Sequence, residues 1–381
     1  MKDGSGKMQD AALKALEIIN EYEEGICSQD RVAIELADYI KKFGSPIIYE
    51  RKVVFVYLGF ARKVCVAGDW NGWNPHVDIM QRIGITPVFY LVKEFPLDAR
   101  LEYKFIVNGK RILDPYNPLV VRDKFEPNSE LRMPEYKLPE FLRYAPILSG
   151  KIHDLSAHFN RIVKVYTPPG YEYAERKYPL IIVNDGSDYL KYAKINRALD
   201  FLISAGKIEP LIAVLVDPLD RIREYSLNRD YADFLVYDVL RFVKSRYNIV
   251  EDENKYCILG ASLGGLYALY TALLYPTIFG CCISQSGAFL KVGELSSFGI
   301  VFEHDIFDIV KKYDGRPLKV VLEWGAYECV AEVDFAERNK KVFKLLKAKN
   351  FTVYHYSINQ GHNWFNWRDS LPQALEVIFG I

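Results

Sequence analysis

From Gln9 to Phe43 the apolar positions recur every three or four residues: Ala12, Leu13, Leu16 and Ile19 in one run, Val32, Leu36, Ile40 and Phe43 in the next. That spacing places each run on one stripe of a helix and predicts two amphipathic helices, Gln9–Tyr22 and Asp30–Phe43, joined near Gly25 and closed by Gly44-Ser45-Pro46. From Ile48 the period shortens. The runs RKVVFVYLG, KVCVAGDWNGWNP, TPVFYLVKEFPL and LEYKFIVNGKRILDPYNP are strand-like and end in Gly, Asn or Pro turns, the pattern of a β-sandwich of roughly 90 residues. The segment Arg132–Gly150, with Pro134, Pro139 and Pro146, reads as a surface linker.

Beyond the linker, strand and helix alternate. Near-continuous apolar strands lie in FNRIVKVYTPPGY, YPLIIVNDG, PLIAVLVDP, YCILG, FGCCISQSG, PLKVVLEWG and FTVYHYSI. Helices are predicted near Ile195–Ala205, Tyr231–Tyr247, Gly264–Leu274, Val333–Lys349 and Leu371–Phe379. Such strands imply a parallel sheet covered on both faces. The expected division is a helical extension over 1–46, an all-β immunoglobulin-like sandwich over 47–140 and an α/β domain over 141–381.

Composition narrows the function classes. Lys plus Arg and Asp plus Glu both number 49, so net charge gives no reason to expect nucleic acid or a membrane surface as partner. No apolar run approaches the ~18 residues of a membrane span, and the N-terminus lacks the apolar core of a secretory leader, so a cytoplasmic location is the expectation. The six cysteines show no C-x-x-C spacing, and no metal, cofactor or disulfide framework is expected. Oligomeric state is open.

Chemistry concentrates at Gly260-Ala261-Ser262-Leu263-Gly264. Small residues two before and two after a serine allow a sharp strand-to-helix turn that exposes the hydroxyl, and here a short apolar run precedes the motif and a helix-length one follows it. Ser262 is therefore the expected nucleophile, and with this elbow the α/β domain reads as an α/β-hydrolase. A serine hydroxyl needs a base, itself oriented by an acid, in the chain order Ser, acid, His. Of six histidines only His362, between the last strand and the last helix, falls in the loop expected of the base. Glu328 follows PLKVVLEWGAY and is the expected acid, with Glu323, Glu332 and Asp334 as rivals. Two amides should hold the oxyanion: Leu263, next to the nucleophile, and Ser187, in the loop after YPLIIVN. Asp185, Gly186, Arg223 and Trp364 are expected to border the substrate; Arg221 and Arg229 are either anion-binding or solvated, and Trp364 and Trp367 either wall the pocket or pack the last helix.

Two resemblances extend this reading. The segments LGASLGGLYALYTALLYPTIFGCCISQSGAF and GHNWFNWRDSLPQAL, with NDG in the oxyanion loop, resemble the esterase D-like hydrolases and most closely the enterochelin (siderophore) esterases. That resemblance implies a carboxylic-ester hydrolase acting on a small-molecule ester, although the family often has Asp where this chain has Asn363. The segments VAGDWNGWNP, EYKFIVNG and DPYNP resemble the early-set immunoglobulin-like module of glycogen-branching enzymes and glycogen-binding kinase subunits. In that family two tryptophans and a lysine meet the sugar; Trp73 and Lys104 match by position, but Arg111 stands where the second tryptophan belongs. Trp70 and Trp73 can equally be packing residues. The competing functions are a non-enzymatic carbohydrate- or partner-binding protein on a hydrolase scaffold, and an acyltransferase.

Overall fold

Both N-terminal stripes fold as helices, α1 (Lys2–Glu23) and α2 (Gln29–Phe43), in the computed structural model, which describes residues 2–124 and 126–381. Ser28 starts α2 by accepting the Arg31 amide on its hydroxyl at 3.3 Å, which satisfies one of the amides a helix start leaves without an intrahelical acceptor. The chain divides into two compact units. The first holds residues 1–137 together with 327–332 and 359–361, and the second holds 138–326, 333–358 and 362–381.

In the first unit, β1 (Ile47–Tyr49), β2 (Lys52–Leu58), β6 (Val88–Glu94) and β5 (Gln81–Arg82) form one antiparallel sheet in the order β1-β2-β6-β5. The other sheet runs β4-β3-β7-β10-β9, from Asp78–Ile79, Val64–Gly68, Arg100–Val107, Asn128–Arg132 and Val120–Val121, with β8 (Lys110–Ile112) paired to β7. Along β2, Val53 and Phe55 face the other sheet beside Val64, Val66, Leu101 and Tyr103, while Val54 and Val56 face the helices beside Leu16, Ile19, Leu36 and Ile40. Side chains alternate across a strand, so β2 is buried on both faces and its sequence is continuously apolar rather than alternating. The helices therefore cover the outer face of the first sheet.

The second sheet carries a buried polar network. Arg100 pairs with Glu102 at 3.0 Å and with Glu130 at 2.5 Å, and Arg132 reaches Glu130 at 2.7 Å. Asp69, just after β3, accepts the Glu102 amide at 2.8 Å and the Trp73 indole N–H at 3.2 Å. Burial first, and then the Glu102 charge, push the Asp69 carboxyl well above the usual carboxylate range.

Eight strands, lying mainly in the second unit, form one sheet: β11 (Lys151–Asp154), β12 (Val163–Thr167), β14 (Ile212–Val216), β13 (Leu180–Asn184), β15 (Tyr256–Ala261), β16 (Cys281–Gln285), β17 (Lys319–Tyr327) and β18 (Thr352–Gly361), in that spatial order. The strands from β14 through β13, β15 and β16 to β17 pair in parallel. The all-parallel expectation is corrected at one edge, where β11, β12 and β14 pair antiparallel. One face packs on helix Ile195–Ser204 and the C-terminal helix Trp364–Phe379 through Leu199, Leu202, Ile181, Ile283, Trp364 and Leu375. The C-terminal helix begins at Trp364 rather than Leu371, because Asn363 caps it by accepting the amides of Phe365 and Asn366, each at 3.1 Å. This is the α/β-hydrolase fold, preceded by an all-β region of antiparallel sheets.

Candidate active site

Ser262 sits between β15 and helix Leu263–Leu274 with φ 56 and ψ −123, a backbone conformation that an L-residue adopts only under strain. The turn is held from both sides. The Ser262 amide donates to the Gln285 carbonyl at 2.9 Å, and its own carbonyl accepts Ala288, Gly265 and Leu266 amides at 2.9, 3.0 and 3.0 Å. A Cβ at Gly260 would overlap the Gly264 carbonyl, which is why the motif needs glycine there. Leu263 contributes the first amide of the helix, one of those that helix geometry leaves without an intrahelical acceptor.

His362 places Nε2 2.9 Å from the Ser262 hydroxyl oxygen, so the two residues singled out a hundred positions apart form a hydrogen-bonded pair. Its ring is wedged edge-on between Phe335 and Trp367, at centroid distances of 4.7 and 5.2 Å. Trp367 is locked in turn, its indole N–H donating to the Ser286 hydroxyl at 2.8 Å. Gln285 ties the elbow to the same helix: its amide nitrogen donates to the Trp367 carbonyl at 2.8 Å and the Ser370 hydroxyl at 2.9 Å, and its amide oxygen accepts the Tyr189 hydroxyl at 2.7 Å.

Glu328 lies in the first unit, directly after β17, and is 3 % exposed. Of its rivals, Asp334 caps helix Phe335–Ala348 by accepting the Glu337 amide at 2.9 Å, and both Asp334 and Glu332 are exposed. Glu323 is buried within β17.

Several expected substrate contacts are corrected. The Ser187 amide donates to the Asp217 carboxylate at 2.8 Å, so it is directed at a fixed anion rather than offered to an oxyanion. Burial pushes the Asp217 carboxyl up, with the Ser187 bonds acting against the rise. Gly186 meets protein rather than ligand, since a Cβ there would overlap Leu215 on β14. Asp185 is buried and grips the Arg221 guanidinium through contacts of 2.9 to 3.1 Å, making it a brace beside the elbow. Trp364 is fully buried, edge-on to Tyr189 at 5.2 Å and to Trp367 at 4.9 Å, and so packs the last helix. Arg223 is exposed on helix Arg221–Tyr225 and lines a surface cavity of about 700 Å³ with Arg229, Tyr270, Val301 and His304; neither Ser262 nor His362 lines that cavity.

Sequence reasoning passed over Gln285 and gave Arg221 no more weight than its neighbours. No local signal marks Gln285, whose partners are 82 to 96 positions away. Trp367 was legible as one of two aromatics after His362, and burial assigns both to packing. In the first unit, Trp70 stacks on Phe55 at 5.3 Å and donates to Asp78 at 2.6 Å, while Lys104 is buried and paired with Glu126 at 2.7 Å. Trp73 is half-buried against Cys65, Ala67 and Ile106, and Arg111 is exposed on β8. These residues therefore present no pair of aromatic faces. Among the described residues no helix is long and apolar enough to cross a membrane, and no cluster of His, Cys, Asp or Glu is arranged to hold a metal.

Comparison with known proteins agrees with this geometry. Residues 156–378 match the family described as "Putative esterase". The iron(III) enterobactin esterase of Escherichia coli strain K12 is 26% identical over 235 residues, covering 57% of this chain and 53% of that protein. The uncharacterized protein YjcH of Bacillus subtilis strain 168 is 27% identical over 226 residues, covering 56% of this chain and 88% of that one. The chain thus spans about half the length of the enterobactin esterase it matches. Among solved structures, the enterobactin esterase from Shigella flexneri, determined in the presence of enterobactin, superposes with a TM-score of 0.69 at 21% identity over 90% of this chain and 97% of that one. A ferulic acid esterase superposes at 0.52 and 19% identity over 61% of this chain and 98% of its own. At such identities the structural likeness speaks for the fold. With the family match extending from Ser156 to Ile378 and including Ser262 and His362, the chain belongs to this esterase family.

Proposed function

We propose that this protein hydrolyses carboxylic esters through an acyl-enzyme formed on Ser262. His362 takes the hydroxyl proton as Ser262 Oγ attacks the ester carbonyl, then gives it to the departing alcohol; water, deprotonated by the same imidazole, releases the acid and restores the serine. Glu328 orients His362 and stabilises its protonated form, and the Leu263 amide donates to the oxyanion. The observation that carries the reading is the 2.9 Å pair between His362 Nε2 and Ser262 Oγ on a strained turn at the head of a helix. The substrate is a small-molecule ester; the enterobactin esterases among the relatives support enterobactin as one to assay beside simple esters.

Purified protein should cleave short-chain p-nitrophenyl esters, and Ser262→Ala should lower that rate at least ~10³-fold. A fluorophosphonate should label Ser262. An unchanged rate in Ser262→Ala would refute the assignment.

A further inference from the structure

The first unit is more than a sandwich, for it includes residues 327–332 and 359–361, the segments that carry Glu328 and lead directly into His362. Its hold on the second segment is close. A Cβ built on Gly361 would overlap all three carboxyl atoms of Asp69, and no left-handed backbone explains the glycine, since its φ is not positive. Asp69 cannot swing away, because it is 5 % exposed and its two oxygens accept the Glu102 amide and the Trp73 indole. Two residues earlier, Asn359 donates to the Asp98 carboxylate at 2.7 Å. The other segment is held by the same unit: Tyr327 meets Phe95 edge-on at 6.3 Å, and Gly72 leaves room for Cys329.

We propose that Asp69 is a positioning residue for the base, its carboxyl group seating the Gly361 backbone and so setting where the next residue, His362, places its imidazole. A buried acid is costly unless it is well bonded, and the Glu102 amide and Trp73 indole offset that cost at Asp69. Here the carboxyl group marks the spot where the chain must pass within van der Waals reach before reaching the catalytic loop.

The inference rests on the acyl-enzyme reading, and the test separates the two. With a p-nitrophenyl ester, Gly361→Ala should lower kcat by up to ~10²-fold, the cost of misplacing a catalytic group by about 1 Å, while KM changes less than about threefold. Asp69→Ala should lower kcat by about tenfold, on the same reasoning. The double variant should be no slower than Gly361→Ala alone, because removing the carboxyl group makes room for the new methyl, a non-additivity expected of residues in contact. The limb of the kcat/KM–pH profile that reports the base should move in both single variants, and the near-isosteric Asp69→Asn should retain most of kcat. Effects that multiply in the double variant, or losses confined to KM and the unfolding midpoint with an unmoved pH profile, would overturn the proposal. Should Asp69→Ala not fold, Gly361→Ala and Asp69→Asn decide alone: an unchanged kcat in Gly361→Ala overturns it. If Ser262→Ala keeps its rate, the esterase reading falls; if Ser262→Ala is dead while both single variants match wild type, only the positioning role falls.

Discussion

Gln285 offers the most direct measurement of how the elbow is tied to the helix behind the base. Gln285→Met keeps side-chain volume while removing three hydrogen bonds, to the Trp367 carbonyl, the Ser370 hydroxyl and the Tyr189 hydroxyl, all in a fully buried setting. Ser370 keeps other acceptors in the Asn366 and Trp367 carbonyls, so the group left stranded is the Tyr189 hydroxyl, which is wholly buried. A stranded buried hydroxyl costs about 1–3 kcal/mol and each of the other bonds about 0.5–1.5, so the variant should lose roughly 3 kcal/mol of unfolding free energy. Urea titration followed by tryptophan fluorescence reads this directly, provided the slope is unchanged. Adding Tyr189→Phe removes the stranded group, so the double variant should recover about 1–2 kcal/mol relative to Gln285→Met, although Tyr189→Phe alone is destabilising by about 1. Strictly additive losses, or a Gln285→Met variant within ~0.5 kcal/mol of wild type, would show that these bonds do not tie the two elements together.

Two further outcomes follow from the geometry. Glu328→Gln should lower esterase kcat by ~10² to ~10⁴ with a folded protein, because the imidazole loses both its preferred tautomer and the partner of its charged form; if Glu323→Gln is the sensitive variant instead, the acid lies within β17 rather than after it. At Asp78, burial works to raise the carboxyl pKa, but hydrogen bonds from the Trp70 indole, Lys93 and Asn71 outweigh it and hold the pKa below the usual range. A depressed folded value gives stability that is complete above the unfolded pKa of ~3.9 and is lost as pH falls through the folded one. Asp78→Asn should therefore be less stable than wild type at neutral pH, with the gap closing under acid, as monitored by fluorescence of the adjacent Trp70; a gap that persists at pH 2 would contradict this.

How much could be read from the sequence depended on the range of the interaction that decides each feature. The elbow was legible because its cause is local: Gly260 must avoid the Gly264 carbonyl four residues on. The strands YPLIIVN, PLIAVLV and FGCCISQ announced themselves as continuous apolar runs, since each is buried on both faces. The antiparallel edge did not, because direction in a sheet is set by connections rather than by composition. Trp364 was open between pocket wall and core until its neighbours Tyr189 and Trp367 were in place. The start of the last helix is available in principle, Asn363 being a strong cap. Ser187 failed for a similar reason, since nothing near it in sequence announces that Asp217 takes its amide. Asp69 lay in the DWNGW turn, where the family resemblance drew attention to the tryptophans beside it.

The return of the chain to the first unit at 327–332 and again at 359–361 also bears on how the protein is made. Synthesis runs from the N-terminus and domains tend to fold as they emerge. The two-sheet sandwich can collapse early, yet the unit to which it belongs lacks a segment until residue 361 has been added. The nucleophile on its elbow is thus synthesised a hundred residues before its base, and a chain arrested between Ala288 and His362 holds the residues that brace the serine turn but not the imidazole that takes its proton. On the acyl-enzyme reading, a product truncated short of His362 would be an inert core rather than a leaky hydrolase.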